Sequence, residues 1–360
     1  MEDEIVRDPT HFDIKKDYAY VLFQLKRWKQ ALTQYEELIK DRNTEKSIIW
    51  DYRSVLEQAS NEVGITSEII QAPESLREYI NTQSFLVRIS PKLSLRGDSF
   101  EELYTKRALG DTAAIRQRVY GHRLKMDWAA DEHWSLGGDW ESDYLNGEDS
   151  NELGLKADYH GQSLSSSLGY DYNHLVRGPL NGLMKEGHWD RVYLTNEAML
   201  TQRLLIGDIC DLEWYRVGKG QNEVNGKQSL GNKYTYDVYS NYLLFLKPYL
   251  SLNMHYKRGH WDKSFEGADR VLDFTGDESV YYGGIYQELP LGNFVKLSSS
   301  ITRSYDEKRR FYSTLSNGTL ELWVKKNLKA AIFYEYDLHI NGTQGSGNLQ
   351  DWKFKITYYF

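Results

Sequence analysis

The stretch DWKFKITYYF (351–360) closes the chain and decides how the rest is read. Trp352, Phe354, Ile356, Tyr358 and Phe360 fall on one parity. Asp351, Lys353, Lys355, Thr357 and Tyr359 fall on the other. Side chains of a strand alternate between two faces, so this is a strand with one aromatic face and one polar face. Working backward, the same period-two pattern recurs as far as Ser84. In 328–340 one face carries Leu328, Ala330, Ile332, Tyr334, Tyr336, Leu338 and Ile340, and the other carries Lys329, Phe333, Glu335 and Asp337.

Composition agrees. The 360 residues include 28 Tyr and 10 Trp but only 6 Pro, a balance that favours strands. Mean hydropathy is low at −0.64, and no apolar run nears the roughly 20 residues of a spanning helix. The single Cys210 excludes an intrachain disulfide and a Cys-rich metal site. A net charge of −8 argues against nucleic acid as a partner. The opening MEDEIVRDPT has neither a basic start nor an apolar run, and it reads as the truncated or engineered start of a longer chain.

Connections between the strand-like segments alternate in length. Short ones fall at 129–132, 159–162, 207–208, 246–248, 289–293 and 326–327, and long ones at 98–113, 177–187, 218–232, 262–278 and 341–350. Short turns at one end and long loops at the other are the pattern of an outer-membrane barrel. The spacing predicts a transmembrane antiparallel β-barrel over 81–360, with about fourteen strands. The number rises to sixteen if 101–109 and 177–187 hold short strands. The final strand then closes on a first strand that starts at Ser84.

Residues 1–80 form a separate helical segment and linker, and from about residue 13 they follow the helical period instead. Ala19, Leu22, Trp28, Ala31, Tyr35 and Leu38 recur at three- and four-residue intervals and their neighbours, with the turn near Lys26 and Arg27 and a further helix over 45–63. This resembles a tetratricopeptide repeat, with Asn43 where the repeat usually has Pro. Because one repeat cannot bury its own faces, the segment is expected to end a longer array.

Parity projects one set of side chains into the lumen. The seam strands supply Arg88, Lys92, Arg96, Arg123, Lys125, Lys329, Lys353 and Lys355. The middle strands supply Asp139, Glu141, Asp143, Glu152, Asp158, Asp171, Asp211, Glu213 and Asp237. A basic wall facing an acidic one would set a field across a pore. The alternative is that these charges pair and stiffen the barrel. Tyr239, Trp323 and Phe333 point inward as sliding contacts for a sugar chain. GHWD occurs twice, so Trp189 and Trp261 are either sugar-stacking platforms or girdle aromatics. His188 and His260 lack a third ligand at a metal-binding spacing, and no nucleotide, hydrolase or zinc-protease motif occurs. We therefore expect no cofactor, no metal and no catalytic residue.

Taken together, a tetratricopeptide-like segment running into a barrel with an aromatic last strand resembles the outer-membrane exporters of biofilm exopolysaccharides. These serve the Pel, poly-N-acetylglucosamine and bacterial cellulose systems in Gram-negative cells. The Pel type is the slightly closer fit, because only a short linker joins helices to barrel. The resemblance implies an outer-membrane pore that passes a polymer outward, and periplasmic helices that dock periplasmic or lipoprotein partners. In the first two systems the polymer is partly deacetylated and cationic, which suits an acidic wall, whereas the basic seam departs from a uniformly acidic channel. Phe354, Ile356, Tyr358 and Phe360 resemble the terminal signal read by the barrel-assembly machinery. A general or substrate-specific porin is the alternative, as is a barrel-borne hydrolase, although His174, His188 and His339 lack an evident serine and acid partner.

Overall fold

The computed structural model describes residues 12–24, 27–41, 46–72, 76–106, 114–145, 148–176, 187–218, 227–246, 248–264, 266, 268, 277–308, 310–340 and 348–360. Among the described residues three helices precede the sheet: α1 (Phe12–Gln24), α2 (Trp28–Asp41) and α3 (Lys46–Ala59). Sixteen strands follow. The first eight are β1 (Glu62–Gln71), β2 (Leu76–Ser90), β3 (Leu93–Lys106), β4 (Ile115–Ala129), β5 (Trp134–Leu145), β6 (Glu148–His160), β7 (Leu164–Leu175) and β8 (Gly187–Met199). The second eight are β9 (Leu204–Gly218), β10 (Lys227–Leu246), β11 (Tyr249–Lys263), β12 (Glu278–Leu291), β13 (Val295–Asp306), β14 (Phe311–Lys325), β15 (Leu328–Ile340) and β16 (Asn348–Tyr359). Each strand pairs antiparallel with its sequence neighbour, and β1 pairs with β16, so the sheet closes on itself. Closure leaves no free edge.

The strand number is sixteen, not fourteen. The last strand closes on β1, with Ile65 opposite Ile356, and not on a strand starting at Ser84. The helix expected over 45–63 ends at Ala59. Beyond it, Val63, Ile65, Thr66, Ile69 and Ile70 are β-branched and take extended backbone. The barrel therefore begins at Glu62 and not at residue 81. Residues 98–106 likewise belong to β3 and not to a loop. The proposed turn at 207–208 lies inside β9, whose preceding turn is at 200–203. There the Thr201 hydroxyl accepts from the amides of Arg203 and Leu204. The loops at 177–186, 219–226 and 341–347 and the residue Asn43 lie outside the described residues.

The outer face is largely apolar. Leu124, Met126, Trp128, Leu136, Leu153, Leu155, Leu168, Val238, Met254, Ile285, Ile301, Ile332, Phe354 and Ile356 all point away from the lumen and are exposed. Aromatic rings bound this band at both ends. Tyr120, Tyr144, Tyr172, Tyr234, Tyr281 and Tyr312 lie toward the long loops, and Trp128, Trp134, Phe245, Tyr358 and Phe360 lie toward the short turns. An exposed apolar belt between aromatic girdles is the lipid-facing surface of an outer-membrane barrel. The parity read from 351–360 holds, since Asp351, Thr357 and Tyr359 face inward and are buried.

The helices sit at the short-turn end. Ala19, Leu22, Ala31, Tyr35 and Leu38 form their core, with Ile48, Tyr52, Val55 and Leu56 from α3. Small Ala19 and Ala31 let α1 and α2 approach closely. That core continues into the barrel through Trp323 and Tyr359. Trp28 is not in it; its ring lies 5.6 Å from the guanidinium of Arg88 on the wall. Asn61 joins the two parts. Its backbone pairs in both directions with Phe360, and its side chain accepts from the Arg88 amide.

Candidate functional site: the barrel lumen

Register fixes which side chains share the lumen. Glu141 on β5 lies opposite Arg123 on β4 and Glu152 on β6. The Glu141, Asp143 and Glu152 carboxylates come within 4.8 Å of one another and are buried. Arg123 pairs with Glu141, and His174 Nδ1 lies 2.7 Å from Glu152. A β-bulge between Asp171 and His174 turns the imidazole inward, with Asn173 at φ 60°. The trio could hold a hard cation by donor chemistry. The guanidinium and imidazole already sit against it, and nothing in its geometry requires an ion. These three acids are buried and do not line the open channel as expected.

The other predicted acids face the lumen, mostly paired within their own strand or to a neighbouring one. Asp158 takes Lys156 at 2.8 Å and the Ser167 hydroxyl at 2.6 Å. Asp211 takes Arg191 at 2.6 Å. Glu213 accepts from the Tyr215 hydroxyl at 2.6 Å. Asp237 lies 3.7 Å from His255, and Asp139 and Asp171 face the lumen from β5 and β7.

The basic seam does not form a free wall. Arg96 binds Glu62 at 3.0 Å, Lys353 binds Glu68 at 3.0 Å, and Lys125 lies 3.7 Å from Asp127. Lys329 binds Glu57 of α3 at 2.6 Å, and Arg88 donates to the carbonyls of Glu57 and Ser60. These two cations hold the helices. Lys92 is not in the lumen; it sits in the β2–β3 turn and donates to the Ala130 carbonyl. Lys355 faces the lumen from β16. Most of the basic seam is thus balanced by a carboxylate on the same strand, a nearby strand or α3.

The predicted stacking residues divide. Trp323 is buried beneath α3, stacked on Tyr359 with centroids 5.5 Å apart. Trp261 is buried under Val176, Leu230 and Ala268 at the long-loop end. Neither is open to a sugar. Trp189 faces inward and stacks on His174 at 5.1 Å, so it is not a girdle residue. Phe333 faces Lys353 across the β15–β16 pair. Tyr239 remains half-buried at mid-height of the lumen. Its ring lies across β9 over Gly207, where a Cβ would meet the Tyr239 hydroxyl at 2.6 Å and the Asn196 carbonyl at 2.8 Å. Only a glycine leaves that space, which is why Gly207 sits inside a strand.

The helices anchor through Arg53. Its guanidinium lies 4.9, 5.5 and 5.0 Å from the rings of Trp50, Phe294 and Trp323 and donates to the Asn293 carbonyl. Burial pushes Arg53 down to about 10, still charged at neutral pH. Lys326, in the β14–β15 turn, binds Glu36 at 2.6 Å. Burial opposes the Lys326 charge, but Glu36 and Tyr52 outweigh it and raise its pKa. No local pattern singles out Arg53, Glu57, Glu197, His255 and Tyr282, since their roles depend on pairing between distant segments.

No protein-family model matches the chain, and no curated protein matches it. Among solved structures it is similar to one described as a bacterial polysaccharide outer membrane secretin. The TM-score is 0.59 at 10% identity, over 84% of this chain and 98% of that one. It also aligns with the outer membrane protein OprD from Pseudomonas aeruginosa, at TM-score 0.45 and 11% identity, over 84% and 93% of the two chains. A third is OmpT of Vibrio cholerae, at TM-score 0.40 and 12% identity, over 83% and 96%. At these identities the likeness is one of fold. The chain has the fold of an outer-membrane β-barrel.

Proposed function

We propose that this barrel is an outer-membrane pore that passes a secreted, amine-bearing exopolysaccharide from periplasm to cell surface. One observation carries the reading: the inner face combines hydroxyl-rich and carboxylate-rich walls with half-buried tyrosines between them. Ser298, Ser300, Thr302, Ser304, Asn317 and Thr319 face inward on β13 and β14 and can replace water around sugar hydroxyls. Asp139, Asp171, Glu197 and Glu213 face inward on β5 to β9 and suit a cationic chain. Weak, repeated contacts let a polymer both enter and leave. Such a pore conducts and does not catalyse.

In this reading the helix-bearing end is periplasmic. The helices are tetratricopeptide-like and dock periplasmic or lipoprotein partners, and the barrel-assembly machinery reads Phe354, Ile356, Tyr358 and Phe360. The long-loop end opens at the cell surface.

The test uses Asp139→Asn with Asp171→Asn, because Glu141 and Asp143 are buried and their loss would damage the wall. In planar bilayers this double variant should lose part of the wild-type preference for cations, and in cells it should lower polymer release. Unchanged selectivity with unchanged release would remove the proposal. A pore selective for small solutes, with no effect on polymer release, would favour a general porin.

A further inference from the structure

At mid-height of the lumen three rings from adjacent strands meet. Tyr239 on β10 stacks on His255 of β11, with centroids 5.3 Å apart and planes at 20°. His255 meets the edge of Tyr282 on β12 at 6.1 Å and 75°. Register places the three directly opposite one another. The Tyr239 hydroxyl reaches across β9 to Glu197 on β8, at 2.6 Å. That reach exists because Gly207 lies between them in register and carries no side chain. Asp237, two residues before Tyr239 on β10, lies 3.7 Å from His255. All five side chains are partly exposed.

A structural role alone would call for buried rings. Phe100 shows that arrangement, covering Gly121 within an apolar cluster. The Tyr239 group is instead open and bordered by carboxylates. Aromatic faces take the apolar C–H face of a sugar ring, and a carboxylate takes an ammonium through a charge-assisted bond. Four residues further along β12, ~13 Å by strand rise, the arrangement repeats. There the Tyr286 hydroxyl donates to Glu288, and Tyr286 meets Tyr249 edge-on at 5.8 Å. Repetition along the channel suits a polymer with a repeating unit.

We propose that Glu197, Tyr239, His255 and Tyr282 form a subsite for one amine-bearing sugar ring, with Tyr286 and Glu288 forming a second nearer the short-turn mouth. The ring lies on the aromatic shelf and its ammonium binds Glu197. This deepens the export reading and rests on it for the class of sugar.

The probe is a glucosamine hexamer, with its fully N-acetylated counterpart as the neutral control. Binding to the detergent-solubilised chain is measured by calorimetry. Glu197→Gln should weaken the amine hexamer about tenfold and leave the acetylated one unchanged. Tyr239→Ala should weaken both, by up to about tenfold. Folding is checked by the heat-dependent gel shift of a barrel, and Tyr239→Phe keeps the ring should the alanine variant misfold. Equal binding of both hexamers to wild type and Glu197→Gln would overturn the subsite. Conductance is read separately. A barrel that fails to conduct but binds the amine hexamer through Glu197 retains the subsite and loses the export reading. One that conducts while Glu197→Gln changes nothing keeps the pore and loses the subsite.

Discussion

The guanidinium of Arg53 lies 5.0 Å from the ring of Trp323, joining α3 to the inner wall of β14. Three aromatic rings and a carbonyl surround this cation, so solvent screens it weakly. Cation–π contacts of this kind contribute about 2 kcal/mol or more when desolvated. Arg53→Ala should therefore loosen the helices while the barrel stays closed. Faster hydrogen exchange across α3, with unchanged exchange in β14, is the expected readout. A double-mutant cycle with Trp323→Ala should return a coupling of about 1–2 kcal/mol.

Gly207 and Tyr239 depend on each other in the same way. A Cβ at Gly207 would meet the Asn196 carbonyl at 2.8 Å as well as the ring. Gly207→Ala should cost about 1–3 kcal/mol through overpacking, seen as a lower urea midpoint after refolding into detergent. Removing the ring as well, in Gly207→Ala with Tyr239→Ala, should recover part of that loss. Full recovery is not expected, because the carbonyl contact remains.

Phe360 contributes to closure through its backbone. Its amide and carbonyl pair with Asn61 at 2.9 and 3.1 Å, while its side chain is exposed on the outer face. Deleting Phe360 should lower the yield of folded barrel in cells severalfold. Refolding into detergent should suffer less, because only cells contain the machinery proposed to read the terminal side chain. The ratio of heat-shifted to unshifted protein on gels measures both.

Asp277 anchors the long-loop end of β11. It accepts from the Trp261 amide at 3.1 Å and lies 3.0 Å from His260 Nδ1. The Trp261 amide and the His260 side chain hold its carboxyl below the ordinary 3.8. A depressed carboxylate stabilises the fold above its unfolded pKa, and that gain is lost as pH falls through the lowered value. Protection of the Trp261 amide should therefore be constant above about pH 5 and decline below pH 4. Asp277→Asn should remove that dependence.

Much of this protein was legible in the alternation of its residues. The barrel and the facing of most strands follow from a period of two, and the short-turn and long-loop ends from the lengths of the connections, all local properties. Two strands escaped. Helix α3 runs into β1 with only Ser60 and Asn61 between them, so the periods abut without a turn signal. In β3 the outward positions Ser99 and Glu101 are polar, which erases the contrast between faces. Ser99 belongs to an outer row with Gln83, His122 and Ser142, aligned across β2 to β5.

What only the tertiary structure decided is the pairing between strands. Parity places Arg123 and Glu141 in the lumen, but register alone puts them together and buries the carboxylate. Lys329 and Arg88 look like pore cations until α3 is laid over them. Trp261 and Trp323 look like sugar platforms until loops and helices cover them. Gly207 reads as a turn until Tyr239 from the next strand is seen lying on it. A face is set by residues two apart, whereas a neighbour is set by segments whose spacing no local pattern records.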